Sequence, residues 1–209
     1  IVMDCDNLLG LDGLSSLQTI TGALFIQEND NLVDINGLAS LQTVRQLEIH
    51  TNPALQDING IAQLNAVELT ASIRLNSGLT SISGFSGLVS VGSLEIKDNN
   101  ALLNINGFDA LQTITYHCTI ENNPFLGGIN GFDALQSVGM NLTLSGNPKL
   151  AALTGFNDLT LIGGDFLIEN NAELVSTAGF SSLLSVNGSF SIKDNPALEA
   201  ITGFDVLQN

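Results

Sequence analysis

Residues 142–164 read LTLSGNPKLAALTGFNDLTLIGG, and the spacing within this stretch decides the fold. Leu142 and Leu144 stand two apart, which puts both side chains on one face of a short strand. After Asn147 and Pro148 come Leu150, Leu153, Phe156, Leu159 and Ile162, each three residues beyond the last. A period of three fits neither an α-helix nor a flat strand. It suits tight turns, short 3₁₀ pieces and the corners of a coil. The stretch is expected to form one short strand, a turn at Asn147, and an extended or 3₁₀ return path.

The pattern continues in both directions. Gly155 belongs to a series at 13, 37, 60, 84, 107, 131, 155, 179 and 203, spaced by 23 or 24 residues. Each glycine is followed by an apolar residue: Leu14, Leu38 and Ile61, then Phe85, Phe108, Phe132, Phe156, Phe180 and Phe204. Asn147 likewise belongs to a ladder with Asn29, Asn52, Asn76, Asn99, Asn123, Asn171 and Asn195, with Cys5 at the equivalent place in the first unit. Fixed periods of this length are the signature of stacked coils. The sequence therefore predicts an all-β solenoid of nine 23–24-residue coils, with one parallel β-sheet and a column of stacked rings, over residues 1–209 as a single domain. Asparagine suits its place mechanically, because its carboxamide can donate to a carbonyl of one coil and accept from the amide of the next. The four prolines, at 53, 124, 148 and 196, each follow a ladder asparagine where the chain leaves the strand and needs no amide hydrogen.

The consensus Leu-x-Ile-x-x-Asn-x-x-Leu-x-x-Ile-x-Gly-Phe-x-x-Leu-x-x-Val resembles the leucine-rich repeat superfamily, and most closely the receptor L domain of growth-factor receptor ectodomains and microbial surface proteins. The likeness extends over essentially the whole chain. It implies a right-handed, leucine-rich-repeat-like (β-helix-like) solenoid and an extracellular or cell-surface setting, with recognition of a protein or glycan on the exposed sheet. The cysteine-rich caps usual in that family are missing, and the repeats are more regular than in the receptors.

Composition narrows the function. With 21 acids against five bases the net charge is −16, which repels nucleic acid and anionic membrane surfaces. No apolar run approaches the roughly 18 to 20 residues of a spanning helix, so no membrane insertion is expected. Both ends read as uncapped: Val2 already occupies a strand position, and Phe204 and Leu207 still occupy core positions. Two expectations follow, a piece of a longer repeat protein or a subunit whose ends meet head to tail. Cys5 and Cys118 lie about five rungs apart, far beyond disulfide reach. Cys118 replaces a core leucine, and Cys5 is placed to pair with something outside the chain.

The search for chemistry finds no catalytic constellation. Asp109 and Asp133 recur two residues past their glycines, but Asn157 and Ser181 continue that column, which is turn chemistry. No metal-binding spacing and no cofactor motif is present, so neither metal nor cofactor is expected. The two outward columns of the strand carry one mixed-charge cluster, Glu48, His50, Arg74, Glu95, Lys97 and Glu121, which is the candidate ligand-binding patch. Two sequons, at Asn141 and Asn187, are candidate N-glycosylation sites. A third column, Thr19, Thr43, Ser90, Thr113, Ser137 and Ser185, gives a row of hydroxyls of the kind an ice or mineral surface would need, interrupted at Ala66 and Leu161. The expected function is a non-catalytic extracellular or cell-surface scaffold: a stalk, adhesin segment or fibre subunit. The alternative is a recognition ectodomain that binds a protein or glycan on the sheet face.

Overall fold

The structure, a computed structural model, describes residues 1–208. The chain winds as a parallel β-solenoid with nine successive rungs. They are Val2–Met3, Thr19–Gln27, Thr43–His50, Ala66–Arg74, Ser90–Lys97, Cys118–Glu121, Leu142–Ser145, Phe166–Glu169 and Phe190–Lys193. Each rung pairs in parallel with the next and in register with the repeat, as in Leu142↔Phe166 and Ser145↔Glu169. Coils are numbered here by these rungs.

The expectation of one sheet built from one strand per coil is corrected. A second strand column, Thr19, Thr43, Ala66, Ser90, Thr113, Ser137, Leu161 and Ser185, stacks in register around a bend from the first. In coils two to five one bent strand runs through both columns, joining them into a 13-stranded sheet. A separate four-stranded sheet forms on the return path from Ser81–Ile82, Asn104–Ile105, Gly128–Ile129 and Ala152–Leu153. The physical reason is stacking. Once coils lie in register, even two extended residues find the same two above and below, and pairing propagates along the rod. The 3₁₀ pieces appear at Asp12–Leu14, Asn36–Leu38, Asn59–Ile61 and Ala178–Phe180, three residues each with a repeat glycine at the centre. From the second member of the repeat series onward, glycine is required by the close approach of the coil before, whereas Gly13 has open space around it. A Cβ on Gly84 would lie 1.8 Å from the Ile58 carbonyl oxygen, and one on Gly37 1.7 Å from that of Leu11.

The interior is aliphatic columns plus one aromatic stack. Phe85, Phe108, Phe132, Phe156 and Phe180 are fully buried, with successive centroids 4.8 to 5.2 Å apart and rings within 13° of parallel, and Phe204 continues the stack at 5.6 Å. Rung spacing thus equals ring spacing, and each such contact contributes about 0.5–1.5 kcal/mol beyond area burial.

The asparagine ladder forms along the whole rod, with a direction the sequence did not reveal. Each side-chain Oδ1 accepts the backbone N–H of the equivalent residue in the preceding coil, at 3.0 to 3.2 Å, from Cys5 N–H on Asn29 to Asn171 N–H on Asn195. Each Nδ2 donates to a strand carbonyl of that same preceding coil, at 2.9 to 3.2 Å. Both inter-coil backbone bonds of each carboxamide thus go to the coil before, and from Asn29 to Asn123 the Nδ2 also donates to the Oδ1 of the next ladder asparagine, at 3.0 to 3.4 Å, so the side chains bridge the coil before and the coil after. Immediately ahead of each ladder position, one residue bends the chain through the left-handed region. From Asp4, Glu28, Thr51 and Leu75 through Asp98, Asn122, Gly146 and Asn170 to Asp194, φ lies between 54° and 66°. That bend turns the strand so that the next side chain points inward.

Candidate functional site

On the first strand column, alternation sends Leu94 and Ile96 into the core and Glu95 and Lys97 outward, and Cys118–Glu121 and Phe166–Glu169 repeat it. The structure brings the candidate patch together across coils three to six. Arg74 lies 3.9 Å from Glu48, and Lys97 lies between Glu95 at 4.0 Å and Glu121 at 3.9 Å. Gln46 Nε2 donates to Glu48 Oε1 at 2.6 Å, and Ser72 Oγ to Glu95 Oε2 at 3.4 Å. His50 is buried to 8% exposure, and its Nδ1 is 3.1 Å from Thr51 Oγ1. Burial first, and the Arg74 guanidinium second, push the His50 imidazole below its ordinary value, partly opposed by Glu48 and Glu28.

The charge arrangement extends beyond the patch. Arg45 meets Glu68, Lys149 meets Glu173, and Lys193 meets Glu169 at 2.8 Å, a contact that raises the Lys193 ammonium above its usual value. All five basic side chains are thus paired, and every partner is a glutamate. The remaining carboxylates, each aspartate among them, have no basic partner among the described residues; they sit at turns and corners. Asp133 is one of them: Asn157 Nδ2 donates to its Oδ1 at 3.0 Å and to its own Thr154 carbonyl, which makes this column a stack of turns. Asp109 lies exposed in the same column.

The sequons differ in setting. Asn187 is exposed, whereas Asn141 is half-buried in a second ladder that sequence reasoning missed. Ser93 Oγ accepts the His117 N–H, His117 Nδ1 that of Asn141, Asn141 Oδ1 that of Asp165, and Asp165 Oδ1 that of Ser189, at 2.7 to 3.4 Å. These residues share the corner between the two strand columns, and each serves the following coil, opposite in sense to the asparagine ladder. The only signal was their constant spacing of 24, hidden by four different side chains.

The hydroxyl row stacks in register, with Thr43 Oγ1 3.4 Å from Thr19 Oγ1. Cys118 is fully buried, and burial pushes its thiol up to about 12; Cys5 is exposed. Among the described residues no three histidine, cysteine or acidic side chains converge as a metal site would require, and no helix is long and apolar enough to cross a membrane. No family model, curated protein or solved structure matches the chain.

Proposed function

We propose that the chain is a non-catalytic repeat scaffold, a stiff acidic spacer at an extracellular or cell surface, kin in architecture to the leucine-rich repeats. The observation that supports it is uniformity. The asparagine ladder runs the length of the rod, the glycine approach recurs from Gly37 on and the ring stack from Phe85 on, and no buried side-chain nitrogen or oxygen among the described residues lacks a partner. Catalytic sites depart from such consistency through strain or unpaired groups, and where strain exists here, in the left-handed bends, it is shared by all nine coils. The partners of a spacer are its neighbours along the axis, whether further coils or a second copy stacked end to end, together with the surface it stands on.

The second reading, a recognition face for a protein or glycan, is favoured by the confinement of the patch from Glu48 to Glu121 to coils three to six. One experiment separates the two. The purified chain and its Arg74→Glu/Lys97→Glu double variant are compared for binding to cells and for assembly by electron microscopy. The scaffold predicts that the exchange leaves both unchanged, with any filaments repeating at about 43 Å, nine rungs of roughly 4.8 Å. Loss of cell binding in the variant would overturn the scaffold in favour of recognition.

A further inference from the structure

The variation between 23 and 24 residues per coil falls at one place. At the corner between the two strand columns, coils two and four have three residues, Thr21 to Ala23 and Glu68 to Thr70, where coil three has two, Arg45 and Gln46. The strand register shifts there on both sides, between Ile20 and Ala23 and between Val44 and Leu47. The short corner of coil three lies back between its longer neighbours and leaves a cleft of about 190 Å³. Coil five makes the same deletion, but with Gly92, which is buried against the Leu69 carbonyl and offers no side chain.

We propose that the cleft at Arg45 is a glycan-binding subsite that holds one neutral pyranose unit. Three observations converge. The hydroxyls of Thr19, Thr21 and Thr43 line it, each able to donate and accept, as sugar hydroxyls require. Arg45 and Glu68 stand at its rim 3.9 Å apart, with side chains 59% and 74% exposed, so their mutual contact is weak and each can turn to a sugar hydroxyl, one as donor and one as acceptor. Ile20 and Ala66, both half-buried, line it with apolar surface against which the C–H face of a ring can lie. The volume matches a single hexose. An anionic sugar is disfavoured by Glu68 and by the −16 charge of the chain. The site is distinct from the charged patch on the sheet face and stands whether or not the chain is a spacer.

The test is saturation-transfer NMR on the intact chain with methyl β-glucoside, methyl β-galactoside, methyl α-mannoside and glucuronate as probes. At least one neutral glycoside should receive transfer, with the roughly millimolar affinity that so few ligand atoms allow. Arg45→Ala should weaken it about tenfold. Insertion of one glycine between Arg45 and Gln46, which restores the longer corner while keeping the guanidinium, should abolish it. Arg74→Ala should leave it intact. Circular dichroism confirms that each variant is folded. The proposal is overturned by transfer to no neutral glycoside, by transfer to glucuronate alone, by binding indifferent to Arg45→Ala, or by equal loss in Arg74→Ala.

Discussion

Replacing Asn99 by alanine tests the ladder at its centre. The side chain accepts the Asn76 N–H at 3.2 Å and, more weakly, Asn76 Nδ2 at 3.4 Å; it donates to Ile73 O and Lys97 O, both at 3.0 Å, and to Asn123 Oδ1 at 3.3 Å. Lys97 O keeps a second donor, the Leu75 N–H at 3.2 Å, so its loss is partial. The Asn76 N–H has no substitute and becomes a buried, unpaired donor, which costs about 1–3 kcal/mol. The two weakened carbonyls and the vacated volume add about 1 kcal/mol more. Asn99→Ala should therefore destabilise by about 3 kcal/mol, read as a lower urea midpoint at unchanged slope. Asn99→Asp should be worse at neutral pH, because it keeps an acceptor for Asn76 but sets a second oxygen against two carbonyls, and it should recover part of the loss on acidification. Asn195→Ala, on the half-buried last rung, should cost less than Asn99→Ala. If Asn99→Ala costs under about 0.5 kcal/mol, or no more than Asn195→Ala, the ladder is not what holds the turns.

Leu75 adopts φ 57° with its side chain exposed, so Leu75→Asn should raise stability by about 1 kcal/mol by relieving a left-handed leucine; thermal melts decide it. Gly84→Ala forces a Cβ onto the Ile58 carbonyl and should cost about 3 kcal/mol, while Gly13→Ala, with open space around it, should be close to neutral. Iodoacetamide at pH 8 should modify the native chain once, at Cys5, and reach Cys118 only after unfolding, since burial holds that thiol near 12; two modifications of native protein in a mass spectrum would contradict this. His50 is depressed in the fold, so between its folded value and the ordinary one near 6.5 the unfolded chain binds the proton more readily. Stability should rise with pH through that window and level off above it, and His50→Gln should remove the slope.

The columns with one residue type were legible. The glycines from Gly37, the phenylalanines from Phe85 and Asn29 to Asn195 reveal coil length, core and turn directly, because over those stretches one residue type meets the demand: no room for a Cβ, a ring on a ring, a carboxamide among backbone groups. Columns where several side chains satisfy one demand were not. The left-handed bend is filled by aspartate, glutamate, threonine, leucine, asparagine and glycine, since the next turn of chain imposes it whatever the residue prefers. The corner ladder needs only an acceptor, and serine, histidine, asparagine and aspartate all supply one. Pairs such as Asn104–Ile105 and Gly128–Ile129 are too short for an alternation to show, so the extra strand columns stayed hidden. Of the mixed-charge patch, the sequence supplied the members but not the burial of His50 or the place of Gln46 beside Glu48. The cleft at Arg45 was visible only as a missing residue.

The one-way sense of the asparagine ladder bears on biosynthesis. A turn emerging from the ribosome has its backbone amide exposed until the carboxamide one repeat later has been translated and has docked on it. Closure then lags emergence of the chain by a single repeat and advances in the direction of translation, so at any pause the last emerged turn is the one whose amide is still unpaired.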